Sequence, residues 1–102
     1  MTRRTLRRSQ GGTGLPALRR RIDRLDLQLL YLLNRRAALA LRVGRIKSTR
    51  RLPVFDSRRE EAVLRQVTRA HCGPLPRTSI RAIFREILRQ SRRLERSSQT
   101  RD

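Results

Sequence analysis

The apolar residues between Leu15 and Arg50 recur at the spacing of one face of an α-helix. They follow one another at steps of 4, 3, 4, 3, 7, 4 and 3 residues, at Leu18, Ile22, Leu25, Leu29, Leu32, Leu39, Val43 and Ile46. This pattern predicts one uninterrupted helix, and Pro16 suits its first turn. Gly44 lies inside that helix, where it costs roughly 1 kcal/mol relative to alanine. We therefore expect a close crossing with another helix at Gly44.

The predicted helix is long for a chain of 102 residues. At ~1.5 Å per residue it would measure about 54 Å, whereas a compact domain of this size has a radius of gyration of only ~13 Å. Its apolar stripe therefore needs cover, and a second copy of the same chain is the simplest cover. We expect an obligate homodimer built on a helical domain of residues 15–96, with a disordered basic arm at 1–14 and a polar tail at 97–102.

Two basic residues occupy slots of this apolar stripe. Arg36 lies between Leu32 and Leu39, and Lys47 follows eleven residues later. Eleven residues at ~100° each complete about three turns, so both side chains face the same way, about 16 Å apart along the helix axis. Buried cations need a counter-charge, and the stripe has no acid beside them. The pattern predicts that they bind an anion from outside the chain.

The second predicted helix begins after a break at Leu52-Pro53, because proline cannot continue a helix. Asp56 is a good N-cap residue, and Ser57 with Glu60 matches the S-x-x-E capping box. The helix is expected to cover about residues 57–71. Its inward positions are Val63, Leu64, Val67 and Ala70.

A third helix is predicted from Thr78 or Ser79 to about Arg96. Its inward stripe consists of Ile80, Ile83, Phe84, Ile87, Leu88, Ser91, Leu94 and Glu95. Two members of this stripe, Ser91 and Glu95, are polar and lie one turn apart. Since no segment has the pattern of a strand, the predicted fold class is all-α, with one long and two shorter helices per chain.

The charge balance narrows the ligand class. The formal charge is +19, from 27 Lys and Arg against 8 Asp and Glu. Such a balance favours nucleic acid, an acidic membrane surface or a small anionic ligand. The aromatic content of only 3% argues against a base-stacking platform. A basic nucleic-acid-binding helical protein is the alternative from another class, but it does not explain cations on an apolar stripe.

Neither membrane insertion nor secretion is expected. No stretch approaches the ~20 apolar residues of a membrane span, and no apolar run of signal-peptide length follows the basic N-terminus. Cys72 is the single cysteine, which excludes an internal disulfide and fits a reducing compartment. The expected location is the cytoplasm.

The residues available for chemistry exclude several mechanisms. His71 is the only histidine, and the chain has no cysteine cluster and no Gly-rich phosphate loop. No metal and no cofactor are therefore expected. The polar members of apolar faces, Arg36, Lys47, Ser91 and Glu95, describe a small cation-rich pocket for a ligand with carboxylates. A reaction there would depend on positioning and electrostatics.

Six short motifs follow one another within residues 16–96. They are Ala17-Leu18-Arg19, Ile22-Asp23-x-Leu25-Asp26, Asn34-Arg35-Arg36-x-x-Leu39-Ala40, Val43-Gly44-x-x-Lys47, Pro53-Val54-x-Asp56-x-x-Arg59-Glu60 and Phe84-x-x-Ile87-x-x-x-Ser91-x-x-x-Glu95. In this order they resemble the all-helical chorismate mutases of the AroQ type. The resemblance implies an intertwined homodimer of three-helix chains. It also implies a Claisen-type rearrangement of chorismate to prephenate, in phenylalanine and tyrosine biosynthesis.

The resemblance assigns the substrate's carboxylates and its ether oxygen to five residues. Arg19 would reach into the partner's site and pair with one carboxylate, while Arg36 would bind a carboxylate within its own subunit. Ser91 would also meet a carboxylate. Lys47 would contact the ether oxygen and a carboxylate, and a protonated Glu95 would face the ether oxygen. Lys47, Glu95 and Arg36 are the implied catalytic residues.

The remaining implied contacts concern the ring hydroxyl of the substrate. Asp56 and Glu60 would bind it, with Arg59 ordering them. Two related activities on chorismate-like acids stay open, isochorismate pyruvate lyase and 4-amino-4-deoxychorismate mutase, although the two acids together favour a hydroxyl. Association with a larger shikimate-pathway enzyme is a further possibility that the sequence leaves open.

Overall fold

The computed structural model describes residues 14–100, and this part of the chain contains three helices and no strand. Helix α1 covers Leu15–Thr49, α2 covers Ser57–Ala70 and α3 covers Arg77–Thr100. The predicted all-α class, with one long helix followed by two shorter ones, is confirmed. Apart from Gly14, the predicted basic arm lies outside the described residues, as do the last two residues of the predicted tail.

Helix α1 ends in a Schellman motif. The backbone N–H of Leu52 donates to the Lys47 carbonyl at 2.8 Å, and that of Arg51 donates to the Ser48 carbonyl at 3.2 Å. Arg51 has φ 57°, the left-handed conformation that this motif requires and that glycine usually supplies. Pro53 follows directly, so the predicted break of the helix is confirmed in position and cause.

Helix α2 begins at the predicted residue and with the predicted N-cap, but without the predicted capping box. The side chain of Asp56 accepts a hydrogen bond from the Arg59 backbone N–H at 3.0 Å, which confirms Asp56 as the N-cap residue. Ser57 is the first helical residue, so the predicted capping box of Ser57 and Glu60 was wrong in its register. The Glu60 carboxylate binds Arg92 instead.

Helix α3 is longer than predicted at both ends. It begins at Arg77, directly after Pro76, and extends to Thr100, beyond the expected end near Arg96. A tertiary contact stabilises the extension at the C-terminal end of α3. Ser98 is buried, and its hydroxyl donates to the Leu41 carbonyl on α1 at 3.1 Å.

The described chain divides into two compact units, residues 14–36 and residues 37–100. In the second unit, Val63 and Leu64 of α2 pack with Leu88 of α3, and Phe84 packs against this cluster. The first unit is helical, and its large apolar side chains are mostly exposed, with values from 40% at Leu18 to 67% at Leu27.

Within the second unit, α1 and α3 cross at very short distance. A Cβ atom built on Gly44 would lie 2.8 Å from both the Cα and the carbonyl oxygen of Glu95, and 3.1 Å from Cβ of Ser98. Real side chains do not approach a backbone this closely, so only glycine fits. The close helix crossing predicted at Gly44 is confirmed.

None of the described helices combines the length and the apolar character needed to cross a membrane.

Candidate functional site

Lys47 and Glu95, two of the predicted catalytic residues, form an ion pair. The Lys47 Nζ atom lies 2.8 Å from Glu95 Oε1, and their side chains are 16% and 12% exposed. The same Nζ atom donates to the Val54 carbonyl at 2.7 Å. A charged pair that is mostly removed from water and tied to the backbone is held in one geometry.

The fold explains why these two side chains meet. Lys47 lies in the last turn of α1, one turn after Gly44, and Glu95 lies on α3 directly at the crossing. Because Gly44 lets the backbones approach, a lysine and a glutamate 48 residues apart in sequence come within hydrogen-bond distance. Val54 belongs to the segment between α1 and α2 and supplies a second acceptor for the Lys47 ammonium.

A second charged pair joins Glu60 to Arg92. The Arg92 Nη1 atom donates to both carboxylate oxygens of Glu60, at 2.6 Å for Oε1. The Arg92 guanidinium also lies over the ring of Phe55, 5.4 Å from its centroid. Sequence reasoning missed Arg92. The signal was present, since Arg92 follows the core residue Leu88 by four positions and so shares its side of α3.

The Glu60–Arg92 pair borders a cleft of about 420 Å³ between α2 and α3. Its lining includes Phe55, Ser57, Glu61, Leu64, Ala82, Arg85, Glu86 and Arg89. On its rim, Glu86 and Arg89 form an exposed ion pair at 2.6 Å. Hydrogen bonds from Arg89, and then from Gln90, lower the pKa of the Glu86 carboxyl to about 2. Charges of both signs therefore face this cleft.

The other predicted residues of the second unit have local partners. Asp56 caps α2, and Arg59 is exposed, with its backbone N–H on the Asp56 carboxylate. Ser91 is half-buried, and its hydroxyl donates to the Ile87 carbonyl at 2.9 Å. These residues lie on or beside the two helices that carry Glu60 and Glu95, and their predicted contacts with a substrate stay predictions.

Two predicted residues belong to the first unit. Arg19 is exposed and Arg36 is half-buried, both on α1. Their predicted roles on the substrate's carboxylates stay predictions as well.

Residues 14–100 contain no group of three or more His, Cys, Asp or Glu side chains that could hold a metal ion. The groups gathered in the second unit instead suit an anionic or hydroxylated organic ligand. An ammonium held by two acceptors can transfer one of its hydrogen bonds to a ligand oxygen, and a carboxylate can accept one from a ligand hydroxyl.

The sequence pattern of the family described as chorismate mutase type II matches residues 18–96. The bifunctional chorismate mutase/prephenate dehydratase of Aquifex aeolicus is 38% identical over an alignment of 86 residues, and the alignment covers 80% of this chain and 24% of that protein. The protein of the same description from Neisseria gonorrhoeae is 40% identical over 78 residues, 76% of this chain and 21% of that one. The chain thus spans about a quarter of the length of the curated relatives it matches.

A solved structure has the same fold. Form II of the chorismate mutase from Thermus thermophilus superposes with a TM-score of 0.79 at 38% identity, over 80% of this chain and 93% of that one.

Proposed function

The chain belongs to the chorismate mutase type II family, and on that premise we propose that it is an isomerase that converts chorismate to prephenate. The observation that supports this most directly is the buried pair of Lys47 and Glu95, 2.8 Å apart. The reaction breaks a C–O bond as a C–C bond forms, so it needs no nucleophile and no metal. It needs a folded substrate and donors at the ether oxygen, where negative charge grows.

Lys47 would supply the first donor. Its Nζ atom already has two acceptors, the Glu95 carboxylate and the Val54 carbonyl. In the proposed complex the ether oxygen replaces the Glu95 carboxylate as an acceptor of the Lys47 ammonium. Glu95, which accepts from Lys47 in the structure without substrate, would take up a proton in the complex and donate a second hydrogen bond to that oxygen. Removing one donor of this kind costs about 2.7–4 kcal/mol of barrier, or about 10²–10³ in kcat.

The remaining residues would hold the substrate in its reactive shape. Arg36 and Ser91 would bind carboxylates within the subunit, and Arg19 of the partner subunit would bind the second carboxylate. Two carboxylate contacts at opposite ends of the substrate restrict it to the folded conformer, which lowers the entropic part of the barrier. Asp56 and Glu60 would accept from the ring hydroxyl, with Arg59 ordering them.

The test is a chorismate-disappearance assay of two Glu95 variants. Glu95→Gln keeps a side-chain donor at this position and should keep kcat within about tenfold of wild type, whereas Glu95→Ala removes the donor and should lower kcat by about 10²–10³. Glu61→Gln, an exposed position on α2, is the matched control and should leave kcat unchanged. Equal losses for Glu95→Gln and Glu95→Ala would contradict the role of Glu95.

Product identification by NMR distinguishes the related activities. Incubation with chorismate, isochorismate and 4-amino-4-deoxychorismate separately should yield product with chorismate above the other two. Pyruvate release from isochorismate without prephenate formation from chorismate would replace the proposal by isochorismate pyruvate lyase.

We further propose that the active form is a homodimer. The support is the row of exposed apolar side chains in the first unit, including Leu25 at 57%, Leu29 at 58% and Leu32 at 56% exposure. A row of this extent is unusual on the surface of a monomer. Leu29→Lys should produce monomers in sedimentation experiments, while Gln28→Lys at the neighbouring position should not.

Mixing two inactive variants tests whether Arg19 acts across the dimer. Arg19→Ala and Lys47→Ala each disable both sites of their own homodimer. If Arg19 serves the partner's site, a mixed dimer contains one intact site, and random mixing should restore about a quarter of wild-type activity. If Arg19 serves its own subunit, mixing restores none.

The matched relatives from Aquifex aeolicus and Neisseria gonorrhoeae combine a chorismate mutase with a prephenate dehydratase in one protein. This supports an association of the chain with another enzyme of aromatic amino acid biosynthesis. Turnover that rises when such an enzyme is added would support the association directly.

A further inference from the structure

We propose that Arg92 determines which group the site accepts at the ring position bound by Glu60: a neutral hydroxyl rather than an ammonium. The inference rests on the proposed function, because it takes Glu60 as the residue that meets the ring substituent. It adds a residue to the site, since Arg92 would act on the substrate through Glu60 as a positioning residue.

Two contacts from different segments hold Arg92 in place. Its Nη1 atom donates to both oxygens of Glu60, in the first turn of α2. Its guanidinium lies 5.4 Å from the ring centroid of Phe55, in the segment before α2. The two side chains of the ion pair are only 24% and 20% exposed. Arg92 therefore fixes the position of the Glu60 carboxylate relative to α3.

The pairing changes what the Glu60 carboxylate can select. A lone carboxylate attracts an ammonium more strongly than a hydroxyl, because the ammonium adds charge to the hydrogen bond. A carboxylate that already binds a guanidinium still has lone pairs for a hydroxyl donor. The pair as a whole carries no net charge, and the guanidinium repels a second cation nearby. The Glu60 carboxylate can therefore accept a hydrogen bond from a hydroxyl, but the Glu60–Arg92 pair has no net negative charge to attract an ammonium.

Asp56 is the other acid proposed to bind the ring hydroxyl, and its negative charge is also partly offset. Its side chain accepts a hydrogen bond from the Arg59 backbone N–H at the positive N-terminus of α2. The cleft beside Glu60 adds Arg85 and Arg89 against Glu61 and Glu86, so its charges balance. The lining therefore offers an incoming cation no net negative charge to offset the repulsion by Arg92.

The experiment compares two acids that differ at this one ring substituent, chorismate and 4-amino-4-deoxychorismate, whose amine is protonated at pH 7. The readout is the ratio of kcat/KM for the two. Arg92→Met keeps the apolar stem against Phe55 and removes the charge, and should lower the ratio of chorismate over the amine by about tenfold or more. Arg92→Lys keeps the positive charge beside Glu60 and should hold the ratio within about threefold of wild type, although loss of the contact with both Glu60 oxygens should lower the two rates together.

The control is the next residue along α3. Arg93 is exposed and does not line the cleft beside Glu60. Arg93→Met should leave the ratio unchanged. If Arg92→Met reduces both rates by the same factor, or if Arg92→Lys changes the ratio as much as Arg92→Met, Arg92 is structural only and the inference is overturned. If Arg92→Met does not fold, Arg92→Gln replaces it in the experiment. Arg92→Gln keeps a hydrogen-bond donor but no charge, so the same fall in the ratio is expected.

If the proposed function is wrong, wild-type protein converts neither acid. The comparison then uses the ratio of the dissociation constants of the two acids, measured by calorimetry. A wild-type preference for the hydroxyl acid that Arg92→Met removes supports the inference even without turnover. If neither acid binds, both the proposed function and the inference are wrong.

Discussion

Replacing Gly44 by alanine should destabilise the protein, although alanine is the better helix former. The added Cβ atom would lie 2.8 Å from two backbone atoms of Glu95, and carbon atoms in contact normally stay about 3.5–4.0 Å apart. Helix α3 would have to move by about 0.7 Å or more, since a backbone cannot rotate away as a side chain can. Overpacking of this kind costs about 1–3 kcal/mol, here in the upper part of the range.

The gain in helix propensity offsets part of this cost. Alanine in a helix interior is favoured over glycine by about 1 kcal/mol. We therefore expect a net loss of about 1–2 kcal/mol in the free energy of unfolding at Gly44→Ala. For a chain of this size that corresponds to a fall in Tm of roughly 4–16 °C.

Thermal unfolding followed by circular dichroism at one fixed protein concentration measures this loss. Gly73→Ala is the control, because a Cβ at Gly73 meets nothing within 4 Å and its φ is not positive. That variant should stay within about 0.5 kcal/mol of wild type. Gly44→Ala should also lower kcat by about tenfold or more, since the shift moves Glu95 away from Lys47. A Gly44→Ala protein as stable as wild type would refute the packing argument.

Three further predictions concern caps, buried hydrogen bonds and titration. Asp56→Ser keeps a capping oxygen and should cost less than about 0.5 kcal/mol in urea unfolding, whereas Asp56→Ala should cost about 1 kcal/mol; equal losses would contradict the capping role. Ser98→Ala removes the bond to the Leu41 carbonyl and should cost about 1 kcal/mol in the same assay, and no loss would mean that this bond does not stabilise the end of α3. The pKa of the Glu86 carboxyl is lowered to about 2, so its ionised form should stabilise the folded protein above its ordinary pKa of 4.5 and lose that effect as pH falls toward 2. In an NMR titration, Arg89→Ala should return this pKa toward 4.5. An unchanged pKa would exclude Arg89 as the cause.

Local chemistry explains the parts of the fold that were predicted correctly. The apolar period of α1, the break at Pro53 and the cap at Asp56 each depend on neighbours within a few residues. One error was local, because the capping box of Ser57 and Glu60 was placed one residue too late for a helix capped by Asp56. The other depended on a distant contact, because α3 continues past Arg96 to where Ser98 binds the Leu41 carbonyl of α1.

The sequence by itself determined the three helices, the crossing at Gly44 and the polar slots of Lys47 and Glu95 in apolar stripes. Periodicity, proline geometry and side-chain size are properties of the local chain, so the residues alone carry them. Only the tertiary structure decided that Lys47 binds Glu95 and that Arg92 binds Glu60, across 48 and 32 residues of chain. Such pairs depend on how closely and in which register two helices cross, because a charge-assisted hydrogen bond requires its atoms within about 3 Å.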